Sequence, residues 1–507
     1  MKKYLFIFLL CNTLFLQTIS SHLPDRVLYD FKSRNELLPD RENLYRDEEV
    51  LLDYIDSMMQ THLIPGLSIS IVKDGNIAWE KYFGYSNIDG NILVDENTMF
   101  ILSSISKTIT ATALMQLFEN NLFMLDDDIN DYLPFNVRHP NYEDIPITFK
   151  MLLSHTSGIR DNWSVMPYYD GDSDYDLGFY LQQYLIDGGD FYTSNLNFTN
   201  FEPGVNYSYS NIGVALIGFL VEEISGQPFN EYCNQNIFDP LEMNNAFWFL
   251  SEIENLNQIA LPYQISSGNG DSCFLIGCGI YNDSNPCFCD PACVDFGDCC
   301  LDYEEVCGEN GTGSSSDNLT QYEHYGYSDY PSGQLRTTSN NLAKFMSAYI
   351  NGGVYNGVRI LDSETIDLIK TIHYPNENSQ QGLIWYYKSS NQRTLFGHNG
   401  GDLGSLTEMF LSISDNLGVV LLSNSTNYNA LIEIENAVLS YAEETNFSII
   451  GDVNSDSIIN ILDVILIINN VLYSEEYNDF SDLNSDNIID ILDVVILVNI
   501  ILNEISF

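Results

Sequence analysis

The sequence predicts an α/β (α+β) domain whose sheet closes only when the two ends of a long central body meet. Three observations lead there. β-like hairpins lie near both ends of the body, amphipathic helical stretches fill the space between them, and two segments of different composition stand apart. At one end Leu67-Ser-Ile-Ser-Ile-Val72 reads as a strand, Lys73-Asp-Gly75 as a turn and Ile77-Ala-Trp-Glu-Lys-Tyr82 as the hairpin partner. At the other end Leu406–Ser414 and Val419–Ser423 flank turn residues in a second hairpin. Asn341–Ile350 and Ser363–Ile372 are among the helical stretches between them. The expected organisation is a signal segment at 1–21, a polar leader at 22–44 and the main domain at 45–446. An insert at 268–312 interrupts that domain, and a tail at 449–507 follows it.

At 507 residues the chain is long enough for two or more domains and a large core. Its 71 acidic residues against 19 basic ones, a net charge of -52, argue against binding nucleic acid or an anionic membrane by charge. Lys2 and Lys3, the apolar run Tyr4–Leu16 and small residues near Ser20 form a secretory signal pattern. No later run has a clean spanning length, so a secreted protein with no transmembrane segment is expected. Ten cysteines agree with export: Cys11 leaves with the signal, and eight lie between Cys273 and Cys307. Cys233 is expected to be a buried, unpaired thiol on a helix.

Ser104-Ile-Ser-Lys107 opens an apolar helical stretch that runs to Phe118. Residues three apart share a helical face, so Lys107 can reach the Ser104 hydroxyl. A serine needs such a base, and lysine serves only if burial or nearby positive charge lowers its pKa. Ser103 stands four residues before Lys107 and could share its face as well. Further along, Pro203–Gly213 places Tyr209 and Asn211 on a turn before an apolar helix. Phe396-Gly-His-Asn-Gly-Gly-Asp-Leu-Gly404 places His398 and a run of backbone N–H groups ahead of the strand beginning near Leu406.

Taken in this order, S-x-x-K, Y-x-N and H-x-G, the motifs make the chain resemble the serine β-lactamase and penicillin-binding-protein family, in its class C and esterase-like branch. Ile64-Pro-Gly-Leu67, Met151–Ile159 and Tyr330–Thr338 support the likeness. The resemblance implies an antiparallel sheet flanked by helices beside a helical subdomain, with the site between them. It selects Ser104 over Ser103 as the acylated residue. It implies that Lys107 helps remove the serine proton, that Tyr209 relays a proton to the leaving group and that Asn211 bonds Lys107 and substrate. The backbone N–H groups of Ser104 and Gly401 are implied as the oxyanion hole. Whether Lys107 or Tyr209 is the base is left open. His155 reads as a packing or turn residue.

His398 stands where antibiotic-cleaving relatives place a lysine for the substrate carboxylate. Histidine is mostly neutral at pH 7, so an esterase or D-peptidase is expected rather than an efficient β-lactamase. The chain has no G-x-S-x-G elbow and no H-E-x-x-H motif. Catalysis is expected to need no cofactor. A second class of function is a catalytically silent scaffold that displays binding modules; the full Ser104, Lys107 and Tyr209 set argues against it.

The insert carries Cys273, Cys278, Cys287, Cys289, Cys293, Cys299, Cys300 and Cys307, a density suited to a zinc site or a disulfide knot, and export favours disulfides. Its spacing and the Asp302-Tyr303 pair resemble a somatomedin B domain, which implies a protein-binding module; a rigid lid is the other use. In the tail, Gly451–Asp463 recurs as Ser481–Asp493, each copy running into an apolar helix-like stretch. Oxygen donors fall at loop positions 1, 3, 5, 7 and 12 of a calcium loop. They are Asp452, Asn454, Asp456, the Ile458 carbonyl and Asp463, then Asp482, Asn484, Asp486, the Ile488 carbonyl and Asp493. The two copies resemble a type I dockerin, which implies calcium and a cohesin-like or other protein partner. Ser457 and Asn487 stand where that family prefers glycine, and serine tolerates the left-handed backbone less readily than asparagine.

Overall fold

The computed structural model describes residues 47–266, 318–445, 447, 451–454, 459–473, 479–484, 486 and 488–504. The signal segment, the leader and all eight insert cysteines lie outside these residues, as do Asp456 and Ile458.

Helix α1 (Glu48–Thr61) precedes the hairpin β1 (Gly66–Lys73) and β2 (Asn76–Asn87), with a short β3 (Ile92–Leu93) beyond it. The chain then builds a helical half around α2 (Ser106–Glu119) and α3 (Asn211–Ser225) and passes through α4 (Ser339–Ile350). It returns to the sheet as β4 (Tyr386–Ser390), β5 (Arg393–Asp402), β6 (Ser405–Ser412) and β7 (Leu417–Ser423), and closes with α5 (Tyr428–Glu444). The seven strands lie in the order β4-β5-β6-β7-β1-β2-β3, all neighbours antiparallel. The pairing of β1 with β7, Leu67 opposite Ser423 through Lys73 opposite Leu417, joins the two chain ends as expected.

Alternation along β1 decides how the layers stack. Leu67, Ile69 and Ile71 face α1 and α5, where they pack with Leu51, Ile55, Val419, Leu421, Ile434 and Val438. Ser68 and Ser70 point the other way and are also buried. Their hydroxyls meet the Ser339 hydroxyl at the start of α4, at 2.7 and 2.9 Å, so the polar face of β1 is satisfied rather than solvated. In the helical half, α2 and α3 are apolar on nearly every face and buried from Ser106 to Leu117 and from Asn211 to Val221, apart from Gln116. The threonines of α2 bond backbone carbonyls, Thr112 to Thr108 within the helix and Thr110 to Pro331 outside it.

Phe396–Gly404 precedes the strand near Leu406 as expected, and most of it belongs to a ten-residue strand of its own, Arg393–Asp402, paired with β6, His398 opposite Met409 and Gly401 opposite Leu406. Its glycines and polar residues hide the alternation that marks a strand in sequence. The expected helices are present with small end shifts, Ser339–Ile350 and Ser363–Lys370. Cys233 is a buried free thiol at the end of a short helix, with burial pushing its pKa well up. The segment containing the insert leaves and re-enters through a two-stranded antiparallel stem, Tyr263–Ser266 with Asn318–Gln321.

In the tail, α6 (Ile461–Tyr473) and α7 (Ile491–Glu504) pack through Val464, Ile467, Val494 and Leu497. Among the described residues, no single helix is long and apolar enough to cross a membrane.

Candidate active site

Ser104 lies in a single 3₁₀ turn, Ser103–Ile105, that feeds α2. The residue before it, Ser103, has φ +50°, a left-handed conformation that costs a non-glycine residue energy and persists where the surroundings enforce it. The enforcement comes from the sheet. Ser405 and Thr407 on β6 donate hydroxyl hydrogen bonds to the carbonyls of Ile101 and Leu102, at 2.9 and 2.8 Å. Gly400 on β5 lies against the same turn: a Cβ there would meet the Leu102 carbonyl at 2.3 Å and Ser103 Cβ at 3.0 Å. The second residue of the H-x-G pair is therefore glycine because nothing larger lets β5 reach the Ser104 turn.

Lys107 is fully buried, and its Nζ is 2.9 Å from Ser104 Oγ and 2.6 Å from the Ser332 carbonyl. The Tyr209 hydroxyl is 2.9 Å from Ser104 Oγ, and Lys107 Nζ lies 5.0 Å from the Tyr209 ring centre. Two groups able to carry a proton thus meet one serine oxygen. The serine O–H can donate to only one of them, so its proton goes to whichever is unprotonated.

Tyr209 and Asn211 sit at the N-terminus of α3, where Asp161 gathers the loose donors. Asp161 Oδ2 accepts from the Asn211 backbone N–H at 3.0 Å and from Asn211 Nδ2 at 2.9 Å. Its Oδ1 accepts from the Ile212 N–H at 3.1 Å and the Ser210 hydroxyl at 3.2 Å. Burial raises the Asp161 pKa, and the two backbone N–H groups act against that. Sequence reasoning missed Asp161, and an acid among 71 carries no local signal. These contacts direct Asn211 toward Asp161.

His155 has φ +53° and is buried, with its ring centre 4.5 Å from that of Tyr209. Its Nδ1 accepts from the Ser210 N–H at 3.3 Å, which helps hold the Tyr209 loop. Burial, then the charge of Lys107, keep it neutral by pushing its pKa well down.

His398 Nδ1 donates to the Asn399 carbonyl at 2.6 Å, so the neutral ring keeps its lone pair on Nε2. Burial first, and Lys107 second, push its pKa down to about 3. A neutral His398 supplies no fixed positive charge at this position. The pairing of β4 with β5 ends at Tyr386 opposite Gly397, so His398 through Asp402, including Gly401, run on beyond β4. The Tyr168 hydroxyl donates to Asp402, tying a loop of the helical half to the end of this strand.

A model of the Beta-lactamase family matches residues 51–441. The chain belongs to the beta-lactamase family. This family shares its fold with penicillin-binding proteins and consists of serine hydrolases. A second model, the Dockerin type I domain, matches residues 450–502. Protein flp of Staphylococcus aureus (strain N315) is 26% identical over 216 residues, 40% of this chain and 39% of that protein. A D-aminopeptidase of Gluconobacter oxydans is 30% identical over 183 residues, 36% of this chain and 32% of that protein. The chain thus spans about two fifths or less of the curated relatives it matches. The D-amino acid amidase of Ochrobactrum anthropi SV3, solved with L-phenylalanine amide, shares the fold at a TM-score of 0.56 and 21% identity, over 78% of this chain and 98% of that one.

In the tail, the last donor of each loop is buried and bound to backbone. Asp463 Oδ1 accepts from the N–H groups of Val453 and Asn454, and its Oδ2 from Asn460. Asp493 repeats the pattern with Leu483, Asn484 and Asp490. The donor set is all oxygen, which suits calcium. Among the described residues, no three acidic, histidine or cysteine side chains converge into a metal cluster.

Proposed function

We propose that this beta-lactamase-family domain hydrolyses an ester or a D-amino-acid amide through an acyl-enzyme on Ser104. The observation that carries the reading is the placement of Lys107 Nζ and Tyr209 OH, each 2.9 Å from Ser104 Oγ. Ser104 Oγ attacks the carbonyl carbon as its proton passes to the Lys107–Tyr209 pair. The oxyanion forms against the N–H groups of Ser104 and Gly401, and Tyr209 returns a proton to the leaving amine or alcohol. Water then repeats the attack with the same pair as base, releasing the acid and free Ser104. The neutral His398 and the D-aminopeptidase and D-amino acid amidase likenesses support an esterase or D-peptidase over a β-lactamase.

The test uses a fluorophosphonate probe and a panel of p-nitrophenyl esters, penicillins and D-amino acid amides on wild type and Ser104→Ala. Ser104-dependent labelling with turnover of esters or D-amides is expected. No Ser104-dependent labelling or turnover would favour the silent scaffold instead.

Secretion, and a calcium-dependent attachment role for the tail, belong to the same proposal. The dockerin match supports both. Ile461, 61% exposed, and Leu492, 54% exposed, offer apolar surface in both copies for a cohesin-type partner. Calorimetry is expected to show calcium binding that Asp463→Ala and Asp493→Ala together abolish; unchanged binding in the double variant would remove the calcium assignment.

A further inference from the structure

Behind the active-site strand lies a charged cluster that the proposed chemistry does not use. Lys388 on β4 is buried between two carboxylates, 2.8 Å from Glu408 on β6 and 2.8 Å from both oxygens of Glu435 on α5. Lys388 Nζ also sits 3.6 Å from the centre of the Phe410 ring. One ammonium between two carboxylates carries a net negative charge unless one carboxyl keeps its proton, and a net charge in a dry interior is costly.

Glu408 and Asn399 are direct cross-strand partners on β6 and β5. Glu408 Oε1 and Asn399 Nδ2 are both buried and complete no full-geometry hydrogen bond, but they face each other closely enough for the amide to favour an ionised Glu408. The other end of the Asn399 amide is engaged: its Oδ1 accepts from the Tyr386 hydroxyl at 2.8 Å. Tyr386 stands edge-on to His398, with ring centres 5.3 Å apart, and the Asn399 carbonyl holds His398 Nδ1–H. A continuous path therefore runs from Glu408 through Asn399 and Tyr386 to His398 and the strand carrying Gly401.

We propose that Glu408 is a positioning residue whose protonation state, transmitted through Asn399 and Tyr386, sets the placement of His398 and the β5 edge beside Ser104. With Glu408 neutral, the cluster is a single balanced ion pair and Asn399 stays with Tyr386. Ionised, Glu408 adds an uncompensated buried charge, and the donor placed to answer it is Asn399 Nδ2. Drawing that amide toward β6 disturbs the bond to Tyr386 and the strand residue that holds His398.

The groups facing Glu408 are Lys388 and Tyr386 from β4, Asn399 from β5, and Glu435 and Tyr428 from α5, while its β7 partner is the apolar Leu421. Burial pushes the Glu408 pKa up, and Lys388 only partly offsets it, leaving it at about 8. Burial lowers the Lys388 pKa, but Glu408 and Glu435 outweigh it and the net shift is upward. The Tyr386 and Tyr428 hydroxyls are pushed well up, chiefly by burial and then by these carboxylates. Glu408 thus keeps its proton to higher pH than an ordinary carboxyl, to about 8.

A carboxyl raised from 4.5 to about 8 contributes stability that is fully present below pH 4.5 and is lost as pH rises through 8.

The inference rests on acylation at Ser104, and its test separates the two. Fluorophosphonate labelling rates are measured from pH 6 to 9.5 for wild type, Glu408→Gln and Tyr386→Phe, with thermal unfolding at each pH. The ratio of wild-type to Glu408→Gln rate is expected to fall roughly tenfold from pH 7 to 9, as a single group titrates near 8. Taking this ratio cancels the titrations of Lys107 and Tyr209. Tyr386→Phe is expected to lose the pH 8 step in labelling yet keep the wild-type pH slope in stability, because Glu408 still titrates. A ratio independent of pH, or a pH 8 step retained in Tyr386→Phe, overturns the inference alone. Absence of Ser104-dependent labelling at every pH overturns the acylation reading and this inference with it.

Discussion

Lys107→Met is expected to lower kcat/KM by roughly a thousandfold or more, and Tyr209→Phe by about a hundredfold to ten-thousandfold. Methionine nearly matches the lysine stem in a fully buried position, so the change removes the charge and the proton carrier with little loss of packing. Phenylalanine likewise removes only the hydroxyl that meets Ser104 Oγ. Because the two groups share one proton, the double variant is expected to cost far less than the product of the single losses. Steady-state kinetics on a p-nitrophenyl ester, with the labelling rate as a second readout, checks all three. The Lys107 charge also depresses both His398 and His155. NMR titration is therefore expected to find both histidine pKa values higher in Lys107→Met. A Lys107→Met enzyme within tenfold of wild type would rule out lysine-assisted activation of Ser104.

Asp161→Ala is expected to cost about 3 kcal/mol of unfolding free energy, with kcat falling more than KM rises. The alanine leaves the Asn211 and Ile212 N–H groups and the Asn211 amide without their acceptor in a buried place. Those donors open α3, one residue after Ser210 and two after Tyr209, so loosening them moves the tyrosine hydroxyl off Ser104. Asp161→Asn is expected to fall between, since one amide oxygen can still accept while its NH₂ opposes the remaining donors. Denaturant unfolding measures the stability term, and kcat against KM measures the displacement. A loss below about 1 kcal/mol would mean that the Ser210 cap of α3, which accepts from the Gly213 N–H at 2.9 Å, holds the helix start without Asp161.

The two residues closest in sequence were the easiest to read. Ser104 and Lys107 lie three apart on one turn, and helical geometry alone brings their ends within bonding range. Tyr209 is a hundred residues away, and only the ordered motifs of a resemblance linked it to Ser104. Gly400 was legible as part of H-x-G but not for its reason, the closeness of the Leu102 carbonyl, because that contact belongs to two distant segments. Only the end of the strand Arg393–Asp402, at Gly401, was legible, because three glycines and an Asn-Gly pair hide the alternation of the rest, while the pairing with β6 makes them a ladder.

By itself the sequence determined the sheet's closing strands, the contact between Ser104 and Lys107, and a duplicated acidic tail, because these depend on spacing within one element or on plain repetition. The tertiary structure alone decided the rest. Asp161 became the acceptor for the first two N–H groups of α3, His398 lost its proton affinity, and Glu408 joined a buried ion cluster behind β5. The physical reason is common to the three: an ionisable side chain takes its role from the water it loses and the charges it meets, and both are set by parts of the chain far from it in sequence.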